Sequence, residues 1–156
     1  MMHVSVFLGL YGDFNMDFTN VHGVELKEEL IDEINYYKVK CYRIDNTVLA
    51  EFSFILHKGK YIKHGSMFVY YIHGSLEDIM HFKYGKLHNE EGPAYYRWES
   101  DGTLITKGYC IDGKLHREDG PARYNCYNYG SDVIIKTWFY HGEQYEPALT
   151  KKAISI

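Results

Sequence analysis

The chain has 156 residues and a formal net charge of −4, so its length fits a single domain and its charge excludes a strongly basic protein. Hydrophobic residues make up 46% of the sequence, which is typical of a globular protein and not of a disordered one. No run of Lys or Arg exceeds two residues, and a nucleic-acid backbone needs clustered cations, so nucleic acid is not the favoured partner. No stretch approaches the roughly 18 apolar residues of a transmembrane helix, so we expect no membrane partner.

The N-terminal third, residues 1–36, is predicted to form a strand and helix cap for the rest of the chain. Residues 1–10 are apolar but lack the basic start of a signal peptide, so we expect a β-strand there. Between Glu25 and Ile34 apolar residues recur at helical spacing, which predicts a short helix over one face of a sheet. The apolar positions are Leu26, Leu30, Ile31 and Ile34.

Internal repetition governs the remaining two-thirds of the chain. Residues 85–94 recur as residues 113–122, and the two segments are identical at all but two positions. The period is therefore about 28 residues, which indicates a repeat architecture. Shortened copies lie at residues 57–67 and 140–145. We assign residues 37–146 to one array of repeats and residues 147–156 to a tail.

Each copy contains residues with turn chemistry. Asp112-Gly113 lies between apolar runs with the spacing of a two-residue hairpin turn, which needs positive φ angles. Equivalent dipeptides are Tyr84-Gly85, His141-Gly142 and Asp101-Gly102. A wider loop comes next in each clear copy, and its proline cannot donate a ladder hydrogen bond, so we expect the proline to start the next strand. The residues predicted to build the two clear repeats are Gly85, Leu87, His88, Gly92, Pro93, Gly113, Leu115, His116, Asp119, Gly120 and Pro121.

Strands are predicted between the turns, near residues 37–44, 48–56, 67–72, 76–84, 94–98, 103–111, 122–127 and 133–140. The economical topology is a sequential antiparallel meander. The predicted fold is therefore mainly β: an elongated antiparallel meander of repeated β-hairpins with a short N-terminal helix or strand cap. A meander ends in two open edges, and an open edge would allow a homodimer.

The two clear copies resemble the MORN-like repeat proteins of bacteria, bacteriophages and large DNA viruses. The likeness rests on the pattern Gly-Lys-Leu-His-(Arg/Asn)-Glu-(Asp/Glu)-Gly-Pro-Ala and is specific over roughly residues 84–145. It implies stacked β-hairpins that serve as binding scaffolds for proteins or lipids, and it brings no catalytic residue. Small viral members of such families are often accessory proteins, so the resemblance implies a phage or viral inhibitor of a host defence protein, located in the host cytoplasm.

Candidate catalytic and metal-binding residues are few. His88 and His116 occupy equivalent positions beside acidic residues and could bind a metal, but such side chains more often satisfy backbone groups of their own loop. No Gly-x-Ser-x-Gly elbow and no phosphate-binding glycine loop occurs. The odd number of cysteines, with no metal-type spacing and no secretory signal, predicts reduced, buried thiols and a cytoplasmic location. We therefore predict no enzyme activity, no metal and no cofactor.

Aromatic residues recur at matching places in successive hairpins. Adjacent tyrosines such as Tyr95 and Tyr96 point to opposite faces of a strand, so one of each pair is available to a partner. Aromatic residues on a sheet either pack across strands or form a protein-binding surface. The predicted partner-binding residues are Tyr71, Tyr96, Trp98, Tyr109, Tyr124, Tyr127 and Trp138.

These observations favour a non-catalytic protein-binding module whose partner is a host protein. The alternative is a nucleic-acid or nucleotide binder that stacks bases on the same aromatic side chains. A metal-dependent enzyme built on the repeated His and Asp loops is the third hypothesis.

Overall fold

The computed structural model describes residues 21–31, 33–128 and 132–147. These residues contain fourteen β-strands and no helix, so the predicted mainly-β fold is confirmed. The strands are β1 (Gly23–Ile31), β2 (Ile34–Tyr42), β3 (Val48–His57), β4 (Lys60–Lys63), β5 (Gly65–Tyr70), β6 (Leu76–Lys83), β7 (Lys86–Leu87), β8 (Tyr95–Trp98), β9 (Leu104–Gly108), β10 (Cys110–Ile111), β11 (Lys114–Leu115), β12 (Arg123–Asn128), β13 (Asp132–Tyr140) and β14 (Glu143–Tyr145). The strand predicted at residues 1–10 and the tail beyond Pro147 lie outside the described residues.

The main sheet is an open antiparallel meander. Its strands are arranged in the order β1-β2-β3-β5-β6-β8-β9-β12-β13-β14, while β4 pairs with β3 and β7 pairs with β6. A separate two-stranded sheet joins β10 to β11. Since each strand pairs with its near neighbours along the chain, the sheet grows by addition of successive repeats, as the sequence predicts.

Four of the strands fold back into short hairpins. β3, β6 and β13 fold back through two-residue turns into β4, β7 and β14, and β10 folds back into β11 in the same way. Both central residues of each turn have positive φ, as at Asp112 (50°) and Gly113 (82°). Turns of this kind match the twist of the strands they join. The four turns are Lys58-Gly59, Tyr84-Gly85, Asp112-Gly113 and His141-Gly142.

The turn at Asp101-Gly102 differs from the predicted two-residue form. The Glu99 amide donates to the Thr103 carbonyl (2.8 Å) and the Gly102 amide donates to the Glu99 carbonyl (3.0 Å), so three residues lie between the paired positions. The Asp101 carboxylate accepts a hydrogen bond from the Thr103 amide at 2.9 Å. This local bond stabilises a wider turn in which only Gly102 needs positive φ. The turns at residues 43–47 and 71–75 have the same backbone bonds.

The predicted helix at residues 25–34 is wrong, because these residues form β1 and the start of β2, an antiparallel hairpin. Leu26 and Leu30 are four residues apart, and this spacing puts both on one face of a helix but also on one face of a strand. Pairing with β2 decides between the two, and Glu29 of β1 forms an ion pair with Lys38 of β2 at 2.6 Å. The described residues thus include no helix with the length and apolarity to cross a membrane.

The hydrophobic core lies on one face of the sheet between β2 and β6. Phe54 is fully buried, the Tyr37 ring stacks on it with centroids 5.1 Å apart, and Tyr61 of β4 packs edge-on at 5.4 Å. Removal of these side chains from water is the main favourable term in folding. The buried cluster consists of Val39, Cys41, Ala50, Phe52, Phe54, Met67, Val69, Met80 and Phe82.

The core face becomes more polar towards the C-terminal repeats. The carboxylate of Asp78, which is 6% exposed, accepts two hydrogen bonds from Arg97 of β8 at 2.7 and 2.8 Å. One repeat later the Thr106 hydroxyl bonds the Asn125 side chain at 2.9 Å in the corresponding place. Because buried polar groups are costly without partners, these bonds allow the sheet to continue where apolar burial declines.

Gly108 provides a test of the packing between β8 and β9. Gly108 is buried opposite Tyr95, and a Cβ at this position would overlap the Tyr95 ring. We expect Gly108→Ala to lower the free energy of unfolding by about 1–3 kcal/mol, the usual cost of overpacking. Urea unfolding would measure the change. The matched control is Gly92→Ala, whose Cβ would lie 3.6 Å from the Asn89 Nδ2 atom, an ordinary contact. Equal losses in both variants would contradict this account.

Candidate functional site

A single cross-strand row of side chains spans the sheet on the face opposite the core. Neighbouring members of the row occupy facing positions on adjacent strands from β1 to β13. The row consists of Glu25, Lys40, Glu51, Phe68, Ile79, Tyr96, Lys107, Tyr124 and Lys136. Because facing residues of antiparallel strands point to the same side, all nine lie on one face.

Five of the predicted partner-binding residues lie on this face, and they define what we call the aromatic face. Tyr96 and Tyr124 belong to the row itself. Trp98 stacks on Tyr96 with ring centroids 5.3 Å apart, and the Tyr109 ring lies 6.4 Å from that of Tyr124. Trp138 is two residues beyond the row position of β13 and therefore shares its side. All five side chains are partly exposed, so they are available to a partner while their strands hold them in place.

The other two predicted residues, Tyr71 and Tyr127, lie elsewhere. Tyr71 belongs to the turn between β5 and β6, where its hydroxyl donates to the Trp98 carbonyl at 2.9 Å and its ring stacks on His73. Tyr71 therefore connects its own turn to the end of β8. Tyr127 alternates with Cys126 on β12 and points to the core side of the sheet, where it is 43% exposed. The aromatic face does not include either residue.

Two cations pack on the rings of the aromatic face. The Lys107 Nζ atom lies 4.8 Å from the Tyr124 ring centroid, and the Arg117 guanidinium lies 4.1 Å from that of Tyr109. Arg117 also bonds the Tyr124 hydroxyl at 3.3 Å and the Asp119 carboxylate at 2.7 Å. These contacts are cation–π geometries, which fix the rings and add positive charge beside them. Strand register brings the four groups together, so sequence spacing alone does not reveal the cluster.

A cleft of about 480 Å³ between the two wide loops adjoins the aromatic face at Tyr109. Its rim is acidic. A hydrogen bond from His88 lowers the pKa of Glu90, and a hydrogen bond from Arg117 lowers that of Asp119. Both carboxylates are therefore ionised at neutral pH, and the cleft presents negative charge next to the cations. The acidic residues that line it are Glu90, Glu91, Glu118 and Asp119.

A larger groove, of about 740 Å³, lies at the N-terminal end of the same face. Lys40 and Glu51 form an ion pair at 3.0 Å on its floor, and Tyr36 and Phe68 contribute apolar surface. Since Lys40, Glu51 and Phe68 belong to the cross-strand row, the groove is continuous with the aromatic face. The sequence analysis did not predict this groove, because the residues come from four different strands.

Histidines at equivalent positions connect successive repeats. The Nδ1 atom of His88 accepts a hydrogen bond from the Asp112 amide at 3.1 Å, and that of His116 accepts one from the His141 amide at 3.2 Å. In the first copy the Nδ1 atom of His64 accepts the corresponding bond from Tyr84 at 3.2 Å. The sequence predicts that these side chains bond backbone groups of their own loops. For the Nδ1 atoms this prediction is wrong, because each accepts its hydrogen bond from the first turn residue of the next repeat.

A backbone bond accompanies each histidine bond. The residue before the histidine accepts from the glycine of the next turn, as Leu87 does from Gly113 and Leu115 does from Gly142, both at 2.8 Å. The predicted repeat residues Leu87 and Leu115 thus contribute a backbone carbonyl to the junction, which is the contact between one repeat and the turn of the next. Within the loop, the side-chain Nδ2 atom of Asn89 donates to the Pro93 carbonyl at 3.0 Å, so the Asn89 side chain fixes this loop.

The remaining candidates for catalysis are two buried thiols. Burial raises the pKa of Cys41 and of Cys110 to about 11 each, so both are protonated at neutral pH and poor nucleophiles. Cys126 differs from the prediction of buried thiols because it is partly exposed. Across residues 21–31, 33–128 and 132–147, no three His, Cys, Asp or Glu side chains cluster as a metal site requires.

Comparison of the chain with models of protein families, with curated proteins and with solved structures finds no match.

Two partly buried histidines, His64 and His81, predict that stability depends on pH. Burial, together with the charges of Lys83 and His57, lowers the pKa of His64 below its ordinary 6.5, and burial also lowers that of His81. The unfolded chain therefore takes up protons that the folded histidines do not. The free energy of unfolding should change little between about pH 7 and 8 and fall as the pH drops below about 6.5.

Urea unfolding at about pH 7.5 and at about pH 5.5 would measure this effect. The chosen range lies above the ordinary pKa of 4.5 of Glu90, whose contribution is lost only at lower pH. His64→Gln is the informative variant, since its side-chain oxygen can accept the Tyr84 bond without titrating. The variant should show a smaller difference in the free energy of unfolding between the two pH values than the original protein does. An unchanged difference would show that His64 is not responsible.

Proposed function

We propose that the protein is a non-catalytic protein-binding module whose contact surface is the aromatic face. The observation that carries the proposal is the grouping of Tyr96, Trp98, Tyr109, Tyr124 and Trp138 on one side of the sheet, partly exposed. Tyr, Trp and Arg are the residue types that most often dominate binding energy at protein interfaces. Strand backbone holds these rings, so little conformational entropy is lost when a partner binds.

The charges around the face indicate the chemistry of the partner. Lys107 and Arg117 lie on the rings, and the acidic rim of the loop cleft lies beside them. A partner with both an apolar patch and charges of both signs would complement this surface. Such mixed surfaces are typical of proteins, whereas a nucleic-acid backbone presents a single sign of charge.

The resemblance of the repeats to MORN-like proteins supports a scaffold that binds and does not catalyse. On that resemblance we infer that the partner is a host protein and that the chain is a phage or viral accessory protein that inhibits it in the host cytoplasm. The protonated thiols of Cys41 and Cys110 favour the non-catalytic assignment as well.

A second candidate function is base stacking by the same face. Lys107 beside Tyr124 and Arg117 beside Tyr109 have the geometry in which cations and rings bind single-stranded nucleic acid. The ionised carboxylates of Glu90 and Asp119 border the same area and would repel phosphates. The protein-binding hypothesis is therefore the better supported one.

An affinity capture experiment tests the proposal. Tagged protein would be incubated with lysates of candidate host cells, and retained proteins would be identified by mass spectrometry. A variant with Tyr96→Glu, Trp98→Glu and Tyr124→Glu should lose the captured partner, with an affinity lower by about 30-fold or more, because charged groups replace hot-spot rings. Circular dichroism would establish that the variant is folded.

The control is Tyr127→Glu, which places one such negative charge on an exposed tyrosine of the opposite face. It should retain the partner. A partner that binds all variants equally would contradict the aromatic face as the contact surface. Binding of a labelled single-stranded oligonucleotide at low salt, lost in the triple variant and weakened by added salt, would instead support the base-stacking function.

A further inference from the structure

The first half of β13 has a partner on only one side among the described residues. In each earlier repeat the corresponding strand also pairs with the next strand of the sheet: β3 with β5, β6 with β8, and β9 with β12. In β13, only residues 138–140 pair with the next strand, β14. Residues 132–137 pair with β12 alone, so their other edge is where a further repeat would add its strand.

This open edge is apolar. Val133, Ile134 and Ile135 are 47%, 53% and 48% exposed, and they form the longest run of exposed large apolar residues in the described chain. All three are β-branched, the residue type that favours strand pairing. β1, the strand at the other end of the sheet among the described residues, is different because four of its nine residues are charged. Charged residues protect an edge from pairing, so β13 is the less protected edge.

The backbone direction of β13 shows which residues face outwards. The Thr137 carbonyl accepts a hydrogen bond from the Ala122 amide at 3.0 Å and so points towards β12. Peptide groups alternate along a strand, so those of Ile135 and Val133 also point to β12, while those of Ile134 and Lys136 point to the open edge. An incoming antiparallel strand would form its paired hydrogen bonds with these outward groups.

We propose that the β13 edges of two copies pair antiparallel about a two-fold axis at Ile134 and form a symmetric dimer. This register puts Ile134 opposite Ile134 of the second copy and Val133 opposite Ile135, so apolar side chains face each other on both sides of the sheet. Lys136 faces position 132 of the second copy, so the two Lys136 side chains are not opposed. A two-fold contact uses the same surface on both copies, so it leaves that surface unavailable to a third copy, as in most homodimers.

The dimer joins the aromatic faces of the two copies. A two-fold axis perpendicular to the sheet keeps corresponding faces on the same side, so Tyr124 and Trp138 of both copies would lie on one continuous surface. A partner with two binding sites could then engage both copies at once. The pairing itself does not depend on the proposed function, since it rests on the edge alone.

Sedimentation velocity of the full chain tests the proposal. The proposed register pairs only residues 132–136 of each copy, so the contact is small, and the dimer should be of the weak class that forms at high protein concentration. Ile134→Lys should raise the dimer dissociation constant by about tenfold or more, because like charges would face each other across the axis. Leu30→Lys is the matched control: it makes the same change at a residue 71% exposed on the β1 edge, and it should leave the dimer unchanged.

Disulfide trapping tests the register. In a Cys126→Ser background, Ile134→Cys should form a cross-linked dimer under mild oxidation, because facing residues on the axis meet the distance that a disulfide requires. Ile135→Cys should cross-link far less, since residue 135 faces residue 133 of the second copy. Preferential cross-linking at residue 135 would overturn the register.

Three results would overturn the dimer. One is a monomer throughout the concentration range, with no cross-link at either cysteine. Another is a dimer that Ile134→Lys does not weaken, since its interface would lie elsewhere. The third is a monomeric full chain together with a dimer of a chain ending at Pro147, which would mean that the removed residues, and not a second copy, occupy the edge.

Discussion

The junction between one repeat and the next turn is the interaction on which the array depends. At each junction a histidine Nδ1 atom and the preceding carbonyl accept the two amides of the next two-residue turn, as His88 and Leu87 do for Asp112 and Gly113. The turn amides would otherwise need water or would be buried without partners, at a cost comparable to a lost hydrogen bond. The junction therefore couples neighbouring hairpins and sets the distance between them.

That coupling determines where the functional side chains lie. Because the junction repeats, strand register is maintained across the sheet, and one cross-strand row runs from β1 to β13. The core occupies one face and stabilises the N-terminal half. The other face is free to carry rings and cations, since Tyr96, Tyr124 and Lys107 are not needed for the core. Separation of stability and binding between two faces is typical of repeat scaffolds, in which each unit contacts mainly its neighbours.

The two ends of the array differ, and this difference bears on assembly. β1 ends the sheet with charged side chains, whereas β13 ends it with Val133, Ile134 and Ile135. A terminal unit must either protect its open edge or use it. The proposed binding surface is a face of the sheet and the proposed dimer contact is an edge, so their roles can be separated by substitutions that affect only one of them.

The sequence alone determined the architecture, because local chemistry encodes it. Dipeptides such as Asp112-Gly113 tolerate positive φ, and alternation between them specifies strands, so the meander and most of its turns could be predicted, whereas the turn at Asp101-Gly102 is wider than predicted. Only the tertiary structure decided whether residues 25–34 formed a helix or a strand, since their spacing suits both and pairing with β2 selects one. It also decided the partner of His88, which lies 24 residues away along the chain. The aromatic face and its cations depend on cross-strand register, and register is set by hydrogen bonds between strands, a property that no single segment contains.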